Sequence, residues 1–333
     1  MKRIVDLPLV DPIFSTYHNQ GGGTAIIATN PSIRNWYLNE STNLRCNRIF
    51  LSGYTTPRIE IPMCTWEENP YFEKERCSIK YARGYTNFIV KRLLDDGFYV
   101  FFNGVDDYYI EGKSFFRERH FNHDGLICGY NDEENTFTLY AYDSTRVYRK
   151  FKTPQKAFSN GRNALGKSGI YGKICGLRPM PTQVALEPNT ICKNIKIYLD
   201  SSLEKYPVTE DTLVYGIAVQ DYIALYVNEL YNERIPYERM DYRVFRLIWE
   251  HKKAMLERIQ KVEDTLNLDH AISILYQNIV GDAEKMRMLY ASHYLKRRDS
   301  LLPIIYKTML DVRKKEQNLL ETFVEKMEGM GEA

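Results

Sequence analysis

Residues 120–144, HFNHDGLICGYNDEENTFTLYAYDS, constrain the fold more than any other segment. Residues 125–130 and 136–142 are rich in β-branched and aromatic side chains, and the polar run 131–135 between them has turn chemistry. Two such strands on a short turn predict an antiparallel hairpin. Neighbouring segments supply it with partners. FYVFFNGVDDYYI (98–110) predicts a strand pair broken at Asn103-Gly104, and NRIFLSGYTTPRIEIP (47–62) a hairpin about Thr56-Pro57. Residues 168–177 and 195–199 predict two further strands.

Helices are expected around these strands. Gly21, Gly22 and Gly23 read as a glycine loop feeding a first helix. Residues 79–94 predict a second helix, with Gly97 just past its end. Residues 153–164 predict a third, begun by Thr-Pro. Beyond about residue 200 the pattern changes. Leu247, Ile248, Met255, Ile259 and Val262 recur at helical spacing, as do Ile305, Met309 and Val312, and then Leu319, Phe323 and Met327. Four to five helices are expected there, two of them separated at Gly281-Asp282. Asp200-Ser201-Ser202 and the following KYPVTED form the joint, where Thr209, Glu210 and Asp211 suit a helix start. With 333 residues the chain can bury two cores. The expected class is α+β, with a sheet-bearing domain at 1–200 and an α-helical domain at 201–333.

Composition narrows the function. The formal charge is only +2, which disfavours nucleic acid or anionic lipid held by a polybasic surface. No apolar run approaches 18 residues, so no membrane span is expected, and the first residues show no secretory signal. The six cysteines form no CxxC pair, which points to reduced thiols in a cytoplasm rather than a zinc or disulfide framework.

Several motifs bear chemistry. GRNALGKS (161–168) matches the phosphate-loop pattern letter for letter. That motif needs a strand before it and a helix after it, and here the order is reversed, so a plain loop is expected. In HFNHDG, His120, His123 and Asp124 suggest a metal, but residues three apart on a strand face opposite sides; no metal is expected. His123 begins one hairpin strand and Asp143 ends the other, so the carboxylate can orient the imidazole as in a catalytic triad. Asp106 and Asp107, followed by Tyr108 and Tyr109, can pair with an ammonium group. Trp249, His251 and Lys252 read as the solvated face of an amphipathic helix.

The stretch from FYVFFNGVDDYYI through the His–Asp hairpin resembles the core of papain-like acyltransferases of the butirosin-biosynthesis acyltransferase family, which includes an amide-forming relative from closthioamide biosynthesis. MDYRVFRLIWEHKKAMLERIQ (240–260) resembles their helical C-terminal region. The resemblance implies a papain-like fold, with a central helix packed on an antiparallel sheet. It implies transfer of an acyl group from a carrier-protein thioester to a small amine, in thiotemplated natural-product assembly. The only cofactor is then the phosphopantetheine of the partner carrier protein. His123 becomes the general base and Asp143 its orienter. The backbone of Gln20, Gly23 and Thr24 becomes the oxyanion site, with Asp107 as an amine contact. The family implies a cysteine nucleophile at the head of the first helix. This chain has His18-Asn19-Gln20-Gly21 there, and Cys77 is the nearest substitute in the sequence pattern. An adaptor without catalysis and a hydrolase of the same fold stay open, and so does a homodimer.

Overall fold

The computed structural model describes all residues except 1–2, 53–55, 79, 81–83, 168–171, 202–212 and 332–333, and leaves out the side chains of 52, 166, 167 and 331 as well. In chain order the elements are β1 (Ile4–Asp6), α1 (His18–Ile27), α2 (Pro31–Glu40), β2 (Arg45–Asn47), β3 (Ile59–Glu60), β4 (Phe72–Ser78), α3 (Thr86–Asp95), β5 (Tyr99–Asp106), β6 (Asn122–Asn131), β7 (Thr136–Tyr142) and β8 (Tyr148–Pro154). There follow α4 (Gln155–Lys167), β9 (Lys173–Pro179), α5 (Pro188–Leu199), β10 (Leu213–Tyr215), α6 (Ala218–Tyr231), α7 (Arg243–Leu266), α8 (Ala271–Lys296) and α9 (Leu302–Gly331). The chain is a mixture of α and β with antiparallel sheets and a helical C-terminal region.

Contacts divide it into two units, and not at residue 200. Unit 1 holds 1–34 and 65–183; unit 2 holds 35–64 and 184–333. Of the joint expected at 200–211, Asp200 caps the end of α5, and residues 202–211 lie outside the described residues.

Unit 1 is built on a seven-stranded antiparallel sheet of order β4-β9-β5-β6-β7-β8, with β1 paired to the far end of β6. The 120–144 hairpin is present as β6 and β7. Val100, Phe102, Ile127, Leu139 and Phe158 form one core with α3 residues Val90 and Leu94. Leu126, the neighbour of Ile127, packs instead against Gly22 of α1. Adjacent strand residues face opposite sides, so α1 covers the face opposite that core.

The three glycines are inside α1 rather than in a loop before it. Glycine is a poor helix former, and here it is required by close packing. A β carbon at Gly21 would stand 2.8 Å from the Tyr148 ring, and one at Gly23 3.0 Å from Trp66 Cβ. Residues 98–110 form one strand rather than two. Gly104, at φ +81°, makes a bulge between Asn103 and Val105 instead of a turn. The helix expected from residue 79 begins at Thr86, and Cys77 is on strand β4. Gly97 does close it, at φ +81°. The phosphate-loop lookalike is helical from Gly161 to Lys167, within α4, and its Ser168 lies outside the described residues. Backbone N–H groups committed to a helix cannot cradle phosphate.

Unit 2 is helical, with a small sheet of order β10-β2-β3. Arg45 pairs with Glu60 across β2 and β3, but the tight hairpin expected over 47–62 about Thr56-Pro57 does not form: Ile49–Ser52, expected as strand, is a short 3-10 helix in the connection. Residues 195–199, expected as a strand, belong to α5. Its buried Ile191, Ile195 and Tyr198 follow helical spacing, and a five-residue window is too short to show it. Gly281 lies inside the continuous helix α8. The stripe on α9 runs through Leu320 rather than Leu319. His251 and Lys252 are buried instead of solvated. Lys252 pairs with Glu316 at 2.5 Å, both fully enclosed, and Gln220 and Tyr198 also donate to that carboxylate. Arg258 donates to the carbonyls of Tyr37 and Leu38, which close the last turn of α2.

Candidate functional site

The polar centre of unit 1 forms where the ends of β5 and β6 meet the head of α1. Val105 pairs with His123 and Asp106 with Asn122. That register sets the short helical turn Asp107–Tyr109 beside the start of β6. Asp106 accepts from the Tyr108 and Phe121 N–H groups and holds His120 Nδ1 at 2.6 Å. Asp107 Oδ2 lies 2.8 Å from Nδ1 of His123. Asp107 is buried, and the His123 side chain keeps 29 % of its surface. Each aspartate of the pair thus holds its own histidine.

His18 stands at the first turn of α1, edge-on to His123 with ring centroids 4.9 Å apart. Tyr142 and Tyr148 flank it at 5.5 Å. It is 7 % exposed, and neither ring nitrogen has a hydrogen-bond partner. Burial pushes its imidazole well below the usual histidine range, and Lys113 and His123 push the same way. The ring is therefore neutral. Lys113 is also buried, and its Nζ has no partner. Burial lowers its pKa, while Asp107, Asp124 and Asp143 favour its charge. Burial raises the Asp124 carboxyl, against the opposing pull of His123 and Lys113. Charge at this centre is thus set by Asp107, Asp124 and Asp143, by Lys113 and by the two imidazoles.

The partner of His123 is Asp107 and not the expected Asp143. That carboxylate accepts from the N–H groups of Thr145 and Val147 and from the Thr145 hydroxyl, and it pairs with Arg149. Burial disfavours its charge, but these bonds prevail and bring its pKa down to about 2. Asp143 builds the turn between β7 and β8. Asp107, expected to meet an amine, is the residue that orients the imidazole.

The oxyanion site expected at Gln20, Gly23 and Thr24 does not form as drawn. The Gln20 and Gly21 N–H groups donate to the Tyr17 carbonyl. Gly23 and Thr24 lie deeper in the helix, where N–H groups serve the helix itself. The Thr24 hydroxyl donates to the Phe14 and Gln20 carbonyls. Gln20 is buried with its Oε1 unpartnered. Of the first-turn N–H groups, those of His18 and Asn19 precede the first helical hydrogen bonds.

No cysteine of unit 1 serves His123. Cys77, on β4, is three strands from β6, ~14 Å across the sheet. Cys128 is five residues along β6 from His123, ~17 Å away, and burial pushes its thiol up to about 12. Cys175 is on β9, and burial raises it too.

Sequence reasoning missed His18 and Lys113. His18 is signalled only by its place two residues before Gln20 at the helix head, and Lys113 by nothing in the pattern. Among the described residues, no helix is long and apolar enough to cross a membrane. In comparison with known proteins, the chain matches no family model and no curated protein.

Proposed function

We propose that the chain transfers an acyl group from a carrier-protein thioester to a small amine, forming an amide, on a papain-like unit 1. The observation that supports this reading is the Asp107–His123 pair. A carboxylate on Nδ1 fixes the tautomer and leaves Nε2 to accept a proton. The amine nitrogen attacks the thioester carbonyl directly and gives its proton to His123 Nε2. The carbon–sulfur bond breaks, and the proton returns to the leaving phosphopantetheine thiolate. No acyl-enzyme forms, in keeping with Asn19 rather than a thiol at the head of α1. The N–H groups of the first α1 turn receive the oxyanion.

The test is amide formation by the full chain from acyl-loaded carrier protein and a panel of diamines, followed by mass spectrometry. His123→Ala should lose ~10²–10⁴ in rate, the range for a positioned base. Wild-type turnover by a folded His123→Ala protein overturns the reading. If the wild type binds loaded carrier protein and transfers nothing, the chain is an adaptor, the alternative that the missing thiol favours.

A further inference from the structure

We propose that His18, His123 and Asp124 bind a divalent transition-metal cation. One ring nitrogen from each histidine and one carboxylate oxygen of Asp124 lie within 4.8 Å of one another. Around a tetrahedral cation with bonds of about 2.0–2.1 Å, ligand atoms stand roughly 3.3 Å apart, so modest side-chain rotation closes the set.

The case rests on more than proximity. His18 is 93 % enclosed by the complement of its 7 % exposure, and both its nitrogens lack partners. A buried imidazole with nothing to bond is an unsatisfied polar group, and a bound ion is one of the ways in which such a group is satisfied. His123 is already held as metal-ligating histidines are held. Its Nδ1 faces Asp107 at 2.8 Å, which leaves Nε2 as the ligating nitrogen. Asp124 follows His123 directly. It and His123 are neighbours on β6, opposite the Asn103–Val105 bulge of β5.

Two imidazoles and one carboxylate suit zinc or ferrous iron, and not magnesium, which prefers an all-oxygen shell. Three protein ligands leave a coordination position open. Lys113 favours the metal-free state, since its ammonium interacts with Asp107 and Asp124. A dication would take over that role.

This site shares His123 with the proposed acyl transfer, but it does not rest on that reading. A cation on Nε2 takes the lone pair that the base needs. The loaded protein should therefore be inactive in amide formation and regain activity on chelation.

The experiment uses chelator-stripped full-length protein titrated with Co2+ and with Zn2+, followed by visible absorption and calorimetry. We expect one ion per chain, an intense visible Co2+ spectrum typical of tetrahedral nitrogen and oxygen ligation, and no response to Mg2+. Asp124→Asn and His123→Ala should each weaken Zn2+ by at least tenfold. Asp107→Asn, acting through His123, should weaken it ~10–100-fold. Lys113→Met should tighten it. The melting temperature of each variant without metal shows that it is folded. Absence of the Co2+ spectrum, or Zn2+ affinity unchanged in folded Asp124→Asn and His123→Ala, overturns the metal site and leaves the acyl-transfer reading intact. Amide formation that requires Zn2+ overturns the base assignment to His123 and leaves the metal site intact.

Discussion

Asp107 and His123 face each other across the end of the β5–β6 ladder, carboxylate to Nδ1 at 2.8 Å, while Asp143 bonds its own turn. Loss of the two carboxylates should therefore have opposite signatures. Asp107→Asn should lower amide formation at least tenfold with a small change in melting temperature. Asp143→Asn should keep most of the rate and cost about 1–3 kcal/mol of stability, the penalty for a buried bond network left half made. Rates and denaturant midpoints of the two variants decide it. The reverse pattern would restore Asp143 as the orienter.

Acid should act through His251. Its Nε2–H donates to the Thr42 carbonyl, and burial, aided by Lys252, lowers its pKa from 6.5 to about 3. Below pH 6.5 the unfolded chain takes a proton that the folded one refuses. Stability is therefore complete above that pH and falls by up to about 1.4 kcal/mol per unit as pH drops toward 3. His251→Gln should flatten this slope in urea titrations between pH 7 and 4. An unchanged slope would mean that His251 is protonated when folded.

The fully buried Lys252–Glu316 pair should be costly to break on one side only. Burial works against the charge on Glu316, yet Lys252 holds its carboxyl below the usual range. Lys252→Met strands that charge and should cost about 3–5 kcal/mol. Lys252→Met with Glu316→Gln should recover part of the loss, seen as non-additive denaturant midpoints. Additive losses would show that the two side chains do not interact.

Gly21 should tolerate no side chain while Tyr148 is present. Gly21→Ala sets a β carbon 2.8 Å from that ring and should cost about 1–3 kcal/mol. On a Tyr148→Ala background the same change should be nearly neutral or stabilising, since alanine is the better helix former. A cost equal in both backgrounds would place the clash elsewhere.

Much of the sheet was legible because its signals are local. The hairpin of β6 and β7 follows from two apolar runs and five polar residues, and the stop of α3 from Gly97. The polar centre was legible only in half. His123 and Asp107 could be named, but pairing them needed the β5–β6 register, which depends on reading Asn103-Gly104 as a bulge rather than a turn. The adjacent ends of the hairpin led to Asp143, whose carboxylate is drawn away by Thr145, Val147 and Arg149. Gly21 to Gly23 misled for a related reason. Their meaning is the nearness of Tyr148, Leu126 and Trp66, which are distant in sequence. His251 and Lys252 looked solvated because burying a charge requires a partner, and Glu316 is 64 residues away.

The interleaving of the two units bears on the order in which the protein can be made. Unit 1 has all its residues once residue 183 has left the ribosome. Residues 35–64 emerge long before that, yet their contacts belong to 184–333. β2 must wait for β10, and the end of α2 for Arg258. At ~5–20 residues per second, this segment stays unsatisfied for roughly ten seconds or more. Pulsed proteolysis of stalled nascent chains should therefore cut within 35–64 until residues 184–333 have emerged.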